Sequence, residues 1–156
     1  MTIKLKPLLV NLAIPLAVGG ASALLTHSSM DFYETINKPS FAPPGTVFPI
    51  VWTVLFLLMG VSAYLVWTQP RSHLRRTALW IYAVQLAVNF AWPLLFFCAR
   101  AFLPAFVWLI ALIILIAVMI GLFYRIKPAA GLLQIPYLLW SIFAAALNLS
   151  VWLLNR

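Results

Sequence analysis

Apolar and polar positions follow each other along this chain in long blocks. Five apolar runs can be read, each close to the roughly 20 residues that a helix needs to cross the hydrocarbon core of a bilayer. The ten Lys and Arg residues and the two acidic residues lie at run ends or between runs, where a charge avoids the cost of burial in lipid. The pattern predicts an all-α integral membrane protein, a bundle of five transmembrane helices in a single domain over residues 1–156. The predicted helices cover residues 8–26, 47–68, 77–98, 103–124 and 132–154, with a long first loop at 27–46.

Composition and charge agree with a membrane protein and indicate its orientation. Apolar residues make up 65% of the chain and charged residues 8%, which is far from a soluble domain. The net charge of +8 is spread over short connections without a basic stripe, so we expect no nucleic-acid partner. Basic residues accumulate on the cytoplasmic side of membrane proteins, so the amino terminus and loops 2 and 4 are predicted to be cytoplasmic. These segments hold Lys4, Lys6, Arg71, Arg75, Arg76, Arg125 and Lys127.

Residues for conventional catalysis are absent from the apolar runs. No Asp, Glu, Lys, Arg or His lies within a run, His27 and His73 are in loops, and Cys98 is the single cysteine. Metal-ligand spacing, a Ser/His/Asp arrangement and a phosphate-binding glycine loop are all missing. We therefore expect no metal, no required cofactor and no acid, base or nucleophilic catalysis.

Proline concentrates in the first loop and at one point of the third helix. The stretch "KPSFAPPGTVFPIVW" fixes backbone angles at Pro39, Pro43 and Pro44 and restricts the residues before them. This loop is predicted to be a stiff lid over the outer end of the bundle. Pro93 is predicted to kink the third helix and to free the carbonyl of Asn89.

Three helices offer aromatic faces, and two of these faces carry amides. Helical spacing places Gln85, Asn89, Trp92 and Phe96 on one face of the third helix. At 1.5 Å of rise per residue, Trp52 lies roughly 8 Å below the outer end of its run, Asn148 roughly 9 Å and Asn89 roughly 14 to 15 Å. One apolar pocket with a few polar groups is predicted there, under the first loop. Its other predicted residues are Phe56 on the second helix and Trp140, Ala144, Leu147 and Asn148 on the fifth.

Other readings of these residues stay open at this point. Amides inside membrane helices commonly link helices to one another by hydrogen bonds, so spacing alone favours a packing role over a ligand role for Asn89 and Asn148. Tryptophans at run ends are typical interfacial anchors, and that interpretation is favoured for Trp67, Trp80 and Trp152.

Three long segments of the chain resemble the translocator protein family, also called tryptophan-rich sensory proteins. They are "YETINKPSFAPPGTVFPIVWTVLFLLMG", "YAVQLAVNFAWPLLFF" and "AAGLLQIPYLLWSIFAAALNLSVWLLN". The resemblance implies a five-helix bundle, commonly a homodimer, that binds porphyrins or other tetrapyrroles and hydrophobic drug-like molecules. It implies that Trp52 contacts the ligand and takes part in light-driven porphyrin breakdown, and that Asn89 and Trp92 line the pocket. Further positions that match the pocket or the loop of the family are Pro43, Pro44, Trp140, Ala144 and Leu147.

The sequence departs from the family pattern at two places. Phe41 stands where the family usually has tryptophan before the two prolines; phenylalanine keeps an apolar lid contact but lacks the indole donor. The fifth helix, "LNLSVWLLNR", has no tyrosine for the cholesterol motif proposed in animal members. Such motifs are weak even when intact, so specific sterol binding is not predicted.

Three functions remain compatible with the sequence. The first is a membrane receptor or carrier for a porphyrin, and the second is a light- and oxygen-dependent porphyrin-degrading enzyme that uses Trp52. The third is a regulatory or structural membrane protein. The first run is long for a secretory signal, so we expect it to remain as the first helix. A bacterial cell membrane is the favoured location, with the mitochondrial outer membrane as the alternative.

Overall fold

The computed structural model describes residues 4–29 and 31–156, and in these residues the chain is helical without strands. A 3-10 turn, His27–Ser29, follows the first helix, and a π-helical segment, Leu94–Cys98, follows the helix that ends at Pro93. The α-helices are α1 (Leu5–Thr26), α2 (Asp31–Thr35), α3 (Val47–Trp67), α4 (His73–Pro93), α5 (Phe102–Ile126), α6 (Pro128–Leu132) and α7 (Ile135–Leu154).

Within the described residues, five helical segments are long and apolar enough to cross a bilayer, which confirms the predicted fold class of an integral membrane helical bundle. Several boundaries differ from the sequence expectation: α1 begins at Leu5 rather than at residue 8, and α5 ends at Ile126 rather than at residue 124. Helix α4 begins at His73 rather than near residue 77, because the Ser72 hydroxyl accepts a hydrogen bond from the Arg75 amide and caps the helix. The last apolar run is broken between α6 and α7 at Leu133 and Gln134, where the buried Gln134 donates a hydrogen bond to the Leu58 carbonyl on α3.

The order of packing leaves one open side in the bundle. Helix α1 packs against α3 and α4, and α5 packs against α4 and α7. The backbones of α3 and α7 stay further apart, and they meet through aromatic side chains. The Phe48 and Trp140 rings are 6.0 Å apart, and the Trp52 and Tyr137 rings are 6.1 Å apart. These rings therefore close the inner part of a seam whose outer part is a lipid-facing groove.

Glycine sets the closest approach between α1 and α3. A Cβ atom on Gly60 would lie 2.8 Å from the Asn11 carbonyl oxygen and 2.8 Å from the Leu12 Cα. Only a residue without a side chain lets these two backbones come so near.

Helix α4 changes its winding directly after Pro93. Residues Leu94–Cys98 form a π segment, in which the Ala99 amide donates to the Leu94 carbonyl at 2.9 Å. Pro93 cannot supply the regular amide donor, and side chains from other helices reach carbonyls in the turn before it. The Trp108 indole donates to the Val88 carbonyl at 2.8 Å, and the Ser22 hydroxyl donates to the Phe90 carbonyl at 3.4 Å.

The first loop folds back over the end of the bundle at which α1 ends and α3 begins. The loop contacts the residue that follows α7 through two reciprocal hydrogen bonds. The Asn37 amide donates to the Asn155 side chain, and that side chain donates to the Asn37 carbonyl. Lys38 donates to the Tyr33 carbonyl at 2.8 Å and forms an ion pair with Glu34 at 3.1 Å. The loop is thereby tied to the end of α7 and to its own short helix α2.

Candidate functional site

An apolar cavity of about 120 Å³ lies between α1, α3 and α4, below the first loop. The aromatic walls come from α3, α4 and the π segment, and small residues of α1 form the facing wall. Of the residues predicted from sequence, Trp52, Phe56, Asn89 and Trp92 line this cavity.

The α1 wall is built from residues with little or no side chain. Gly19, Ser22 and Ala23 line the cavity together with Val18. At Gly19 the fit is tight, because an added Cβ would lie only 2.1 Å from the Phe56 ring. The absence of a side chain at this position therefore makes the room that the Phe56 ring occupies.

Two tryptophans of the aromatic wall each pair with a neighbouring phenylalanine ring. The Trp52 ring stacks on Phe56 with centroids 5.5 Å apart at 30°, and the Trp92 ring lies 5.5 Å from Phe96 at 31°. Such arrangements suit the charge distribution of aromatic faces and edges. Trp52 is half-buried and its ring also meets the edge of Tyr137. The cavity thus presents flat apolar surfaces from two different helices.

Asn89 supplies the amide group at the cavity. Its side-chain nitrogen donates to the Tyr137 hydroxyl at 2.6 Å, and that hydroxyl donates to the Gln85 carbonyl oxygen at 2.9 Å. No described residue donates a hydrogen bond to the Asn89 side-chain oxygen. Gln85, at the far end of this series of hydrogen bonds, is fully buried and does not line the cavity. The sequence pattern placed both amides on one face, and the structure gives them different tasks.

Residues predicted on the fifth helix lie on the far side of Trp92. The Trp92 indole donates to the Asn148 oxygen at 3.2 Å, and the Asn148 nitrogen donates to the Phe102 carbonyl at 2.7 Å. Asn148 therefore joins three elements by hydrogen bonds. Together with Ala144 and Leu147 it borders a separate space of only about 10 Å³.

Trp140 lies outside both spaces. It lines the lipid-facing groove between α3 and α7, about 510 Å³ in volume, together with Phe143. Its indole nitrogen is buried and has no hydrogen-bond partner among the described residues. The predicted single pocket is thus divided by aromatic rings into a cavity, a small void and a groove.

The predicted loop residues do not line the cavity either. The Phe41 ring packs at 6.2 Å against Phe143 of α7 and is 51% exposed. The Pro43 carbonyl accepts a hydrogen bond from the Tyr33 hydroxyl at 3.4 Å, and the Pro44 carbonyl accepts one from the Val47 amide at 3.0 Å. The two prolines hold the loop and the start of α3 in place.

Tyr33 closes this end of the bundle, and the sequence reasoning missed it. The side chain is 2% exposed, and its ring meets the rings of Phe48 and Phe97, which both line the cavity. Burial, followed by the nearby charge of Glu34, raises the pKa of the Tyr33 phenol, so its hydroxyl stays a donor to Pro43. The available signal was a tyrosine within the long first loop.

The α1 wall was missed as well. Its signal in the sequence is a set of small residues at helical spacing, Gly19, Ser22 and Ala23. Small residues in a membrane helix indicate close packing of helices, and this pattern alone does not show that part of the space stays empty.

The fold and this site define a class of protein: a polytopic helical membrane protein with an aromatic, amide-bearing cavity and a loop folded over its end. Residues 11–153 match the TspO/MBR family. The chain belongs to that family, as its resemblance to the translocator proteins predicted.

Relatives from distant organisms share most of the length. The chain is 36% identical over 149 residues to the tryptophan-rich protein TspO of Archaeoglobus fulgidus, covering 95% of this chain and 96% of the relative. It is 35% identical over 133 residues to the translocator protein of Homo sapiens, covering 84% and 79%. It is 34% identical over 125 residues to the tryptophan-rich sensory protein of Cereibacter sphaeroides, covering 80% and 77%.

Proposed function

We propose that this protein is a membrane receptor or carrier for a flat, hydrophobic tetrapyrrole such as a porphyrin. The observation that carries the proposal is the cavity wall, in which Trp52 and Trp92 present aromatic faces beside the single amide of Asn89. Aromatic faces stack on a planar macrocycle. An amide oxygen without a described donor can accept a hydrogen bond from a pyrrole N–H or from a protonated propionate.

Binding requires the cavity to widen. Its volume of about 120 Å³ is well below the roughly 300–1,000 Å³ of pockets for drug-sized ligands. Helix α1 is the wall best suited to move, because few of its residues are buried. In its most apolar stretch 11% of the residues are buried, against 28–44% in the other four spans. The ligand is therefore expected to displace α1 and the loop that follows it.

Titration with protoporphyrin in detergent tests the receptor. Saturable quenching of tryptophan fluorescence is expected, since two of the seven tryptophans line the cavity. Asn89→Leu should weaken the affinity by about fivefold, the worth of roughly one hydrogen bond. Asn11→Leu is the matched control, because among the described residues the Asn11 side chain bonds only to the Pro7 carbonyl of its own helix. This variant should bind protoporphyrin as the wild type does. Quenching that never saturates in the wild type would refute the receptor.

A second function, light- and oxygen-dependent breakdown of the bound porphyrin, is favoured by the position of Trp52. This indole borders the cavity and also touches the edge of Tyr137. The porphyrin would absorb the light, molecular oxygen would be the oxidant, and Trp52 would be the oxidisable side chain next to the macrocycle. No resident cofactor is needed for this scheme.

Illumination of the porphyrin complex under air tests this activity. The wild type is expected to bleach porphyrin to a defined product, and Trp52→Phe should slow that reaction about tenfold or more while the aromatic wall remains. Trp80→Phe serves as the control, because Trp80 is 64% exposed on α4 and lies away from the cavity. Equal bleaching rates in wild type and Trp52→Phe would exclude the role of Trp52.

The orientation in the membrane and the assembly belong to the same proposal. We place the amino terminus and loops 2 and 4 on the cytoplasmic side, because basic residues accumulate there. Both acidic residues lie in the first loop, at the other end of the bundle.

Homodimer formation is an implication of the family resemblance, and analytical ultracentrifugation in matched-density detergent checks it.

A further inference from the structure

An open groove lies at the end of the bundle opposite the first loop, where α3 ends and α4 begins. Its volume is about 800 Å³, which makes it larger than the cavity between the helices. Three arginines line it, Arg71, Arg75 and Arg76, together with His73. Below this basic part the wall is apolar and aromatic, formed by Trp67, Leu79, Trp80 and Ala83.

The charge of this groove is not balanced within the described part of the chain. Asp31 and Glu34 are the only acidic side chains of the protein, and both belong to α2, at the opposite end of the bundle. The ion pair between Glu34 and Lys38 is formed at that end as well. Arg71 and Arg76 are both exposed, so the groove offers two cations to a ligand from outside.

Arg75 has a structural task that shapes the groove. Its guanidinium lies 5.1 Å from the centre of the Trp67 ring and donates to the Gln69 carbonyl at 2.8 Å. The connection from α3 to α4 is thereby closed into a compact turn. Arg71 and Arg76 remain as the groups that are available for an anion.

The aromatic residues place this groove at the depth of lipid headgroups. Trp67 is 49% exposed and Trp80 is 64% exposed, and tryptophans in such positions lie at the membrane–water interface. Leu79 and Ala83 continue along α4 toward the hydrocarbon core. A ligand in the groove would therefore have its polar part beside the arginines and its apolar part along α4.

We propose that this groove binds the headgroup of an anionic phospholipid, with an acyl chain lying along Leu79 and Ala83. Charge complementarity selects the anion, since arginine recognises phosphate oxygens through several N–H donors. The apolar wall selects a lipid over free phosphate. Basic pockets between membrane helices are a known type of site for anionic lipids. The site is separate from the ligand cavity, so it stands or falls independently of the proposed receptor function.

Native mass spectrometry of the detergent-solubilised protein tests the site with two lipids of equal chain length. Phosphatidylglycerol is expected to be retained at one molecule per chain, in clear preference to phosphatidylcholine. The double variant Arg71→Gln, Arg76→Gln should lower the apparent affinity for phosphatidylglycerol by about thirtyfold, at roughly 1 kcal/mol for each of the two basic residues near an anionic lipid. Unchanged melting temperature and gel-filtration profile will show that this variant is folded.

The matched control is Arg125→Gln, Lys127→Gln, which removes the same charge near the end of α5 but outside the groove. It is expected to retain phosphatidylglycerol as the wild type does. An equal loss in both double variants would show a general electrostatic attraction and would overturn the site. Competition by soluble glycerol phosphate at concentrations similar to those of the lipid would overturn the acyl-chain part of the proposal.

Discussion

Replacement of Gly19 by alanine is expected to lower the affinity for protoporphyrin by about thirtyfold. The added Cβ would lie 2.1 Å from the Phe56 ring, and that ring is backed by Trp52 at 5.5 Å. The ring therefore has to move into the cavity, whose volume is already only about 120 Å³. Overpacking of this kind costs about 1–3 kcal/mol. We expect this cost to appear as weaker binding, because the displaced ring occupies space that the ligand needs. The measurement is the fluorescence titration described above.

The neighbouring glycine gives a closely matched control. A Cβ on Gly20 would meet nothing within 4 Å, yet Gly20→Ala makes the same change of backbone freedom in the same helix. It should bind protoporphyrin as the wild type does. Equal affinities for Gly19→Ala and the wild type would contradict a site between α1 and α3, and would move the ligand to another part of the bundle.

Replacement of Gly60 by alanine is expected to destabilise the bundle by about 2–3 kcal/mol, because the new methyl group meets backbone rather than a mobile side chain. The Asn11 carbonyl oxygen and the Leu12 Cα are both 2.8 Å from the added carbon. Helix α1 must then retreat from α3 along its whole contact. The midpoint of thermal unfolding in a mild detergent should fall by about 5–10 °C.

Gly121→Ala is the control for this change, because a Cβ at Gly121 would also meet nothing within 4 Å. It lies on the exposed face of α5, and its melting midpoint should equal or slightly exceed that of the wild type. A stable Gly60→Ala protein would mean that α1 is held loosely against α3. In that case a ligand could displace α1 at little cost in free energy.

The two glycine variants distinguish an effect on ligand binding from an effect on the stability of the bundle. Gly19 and Gly60 both face the α1–α3 contact, but one faces a ring at the cavity and the other faces backbone atoms. A loss of binding in Gly19→Ala without loss of stability would support a ligand-sized opening under Tyr33. A loss of both would indicate that the whole α1 contact has been disturbed.

The five spans could be predicted because the bilayer makes a simple demand on sequence. A chain in lipid satisfies its backbone groups by forming helices, so apolar run length is enough to find them. The break between α6 and α7 could not be predicted from that pattern. Leu133 is apolar and a single glutamine does not interrupt an apolar run, so both residues fell within the predicted helix 132–154. The bond from Gln134 to the α3 carbonyl of Leu58 comes from a helix that is remote in sequence.

The candidate site was predicted in part. Spacing along α3 and α4 indicated which residues share a face, and four of these residues line the cavity. Spacing could not show that the Trp92 ring separates them from Asn148, or that Trp140 turns toward the groove between α3 and α7. These outcomes depend on how helices rotate about their own axes, and that rotation is set by packing across the bundle.

The sequence by itself determined the integral-membrane class, the helical fold, and which amides and aromatic rings share a helix face. These properties follow from local chemistry, namely the hydropathy of a run and the rise of a helix. The tertiary structure decided that α1 walls the cavity with small residues, that Tyr33 closes it, and that Phe41 packs on α7 instead. The physical reason is that a cavity is a property of the space between helices, and each helix records only its own side of that space.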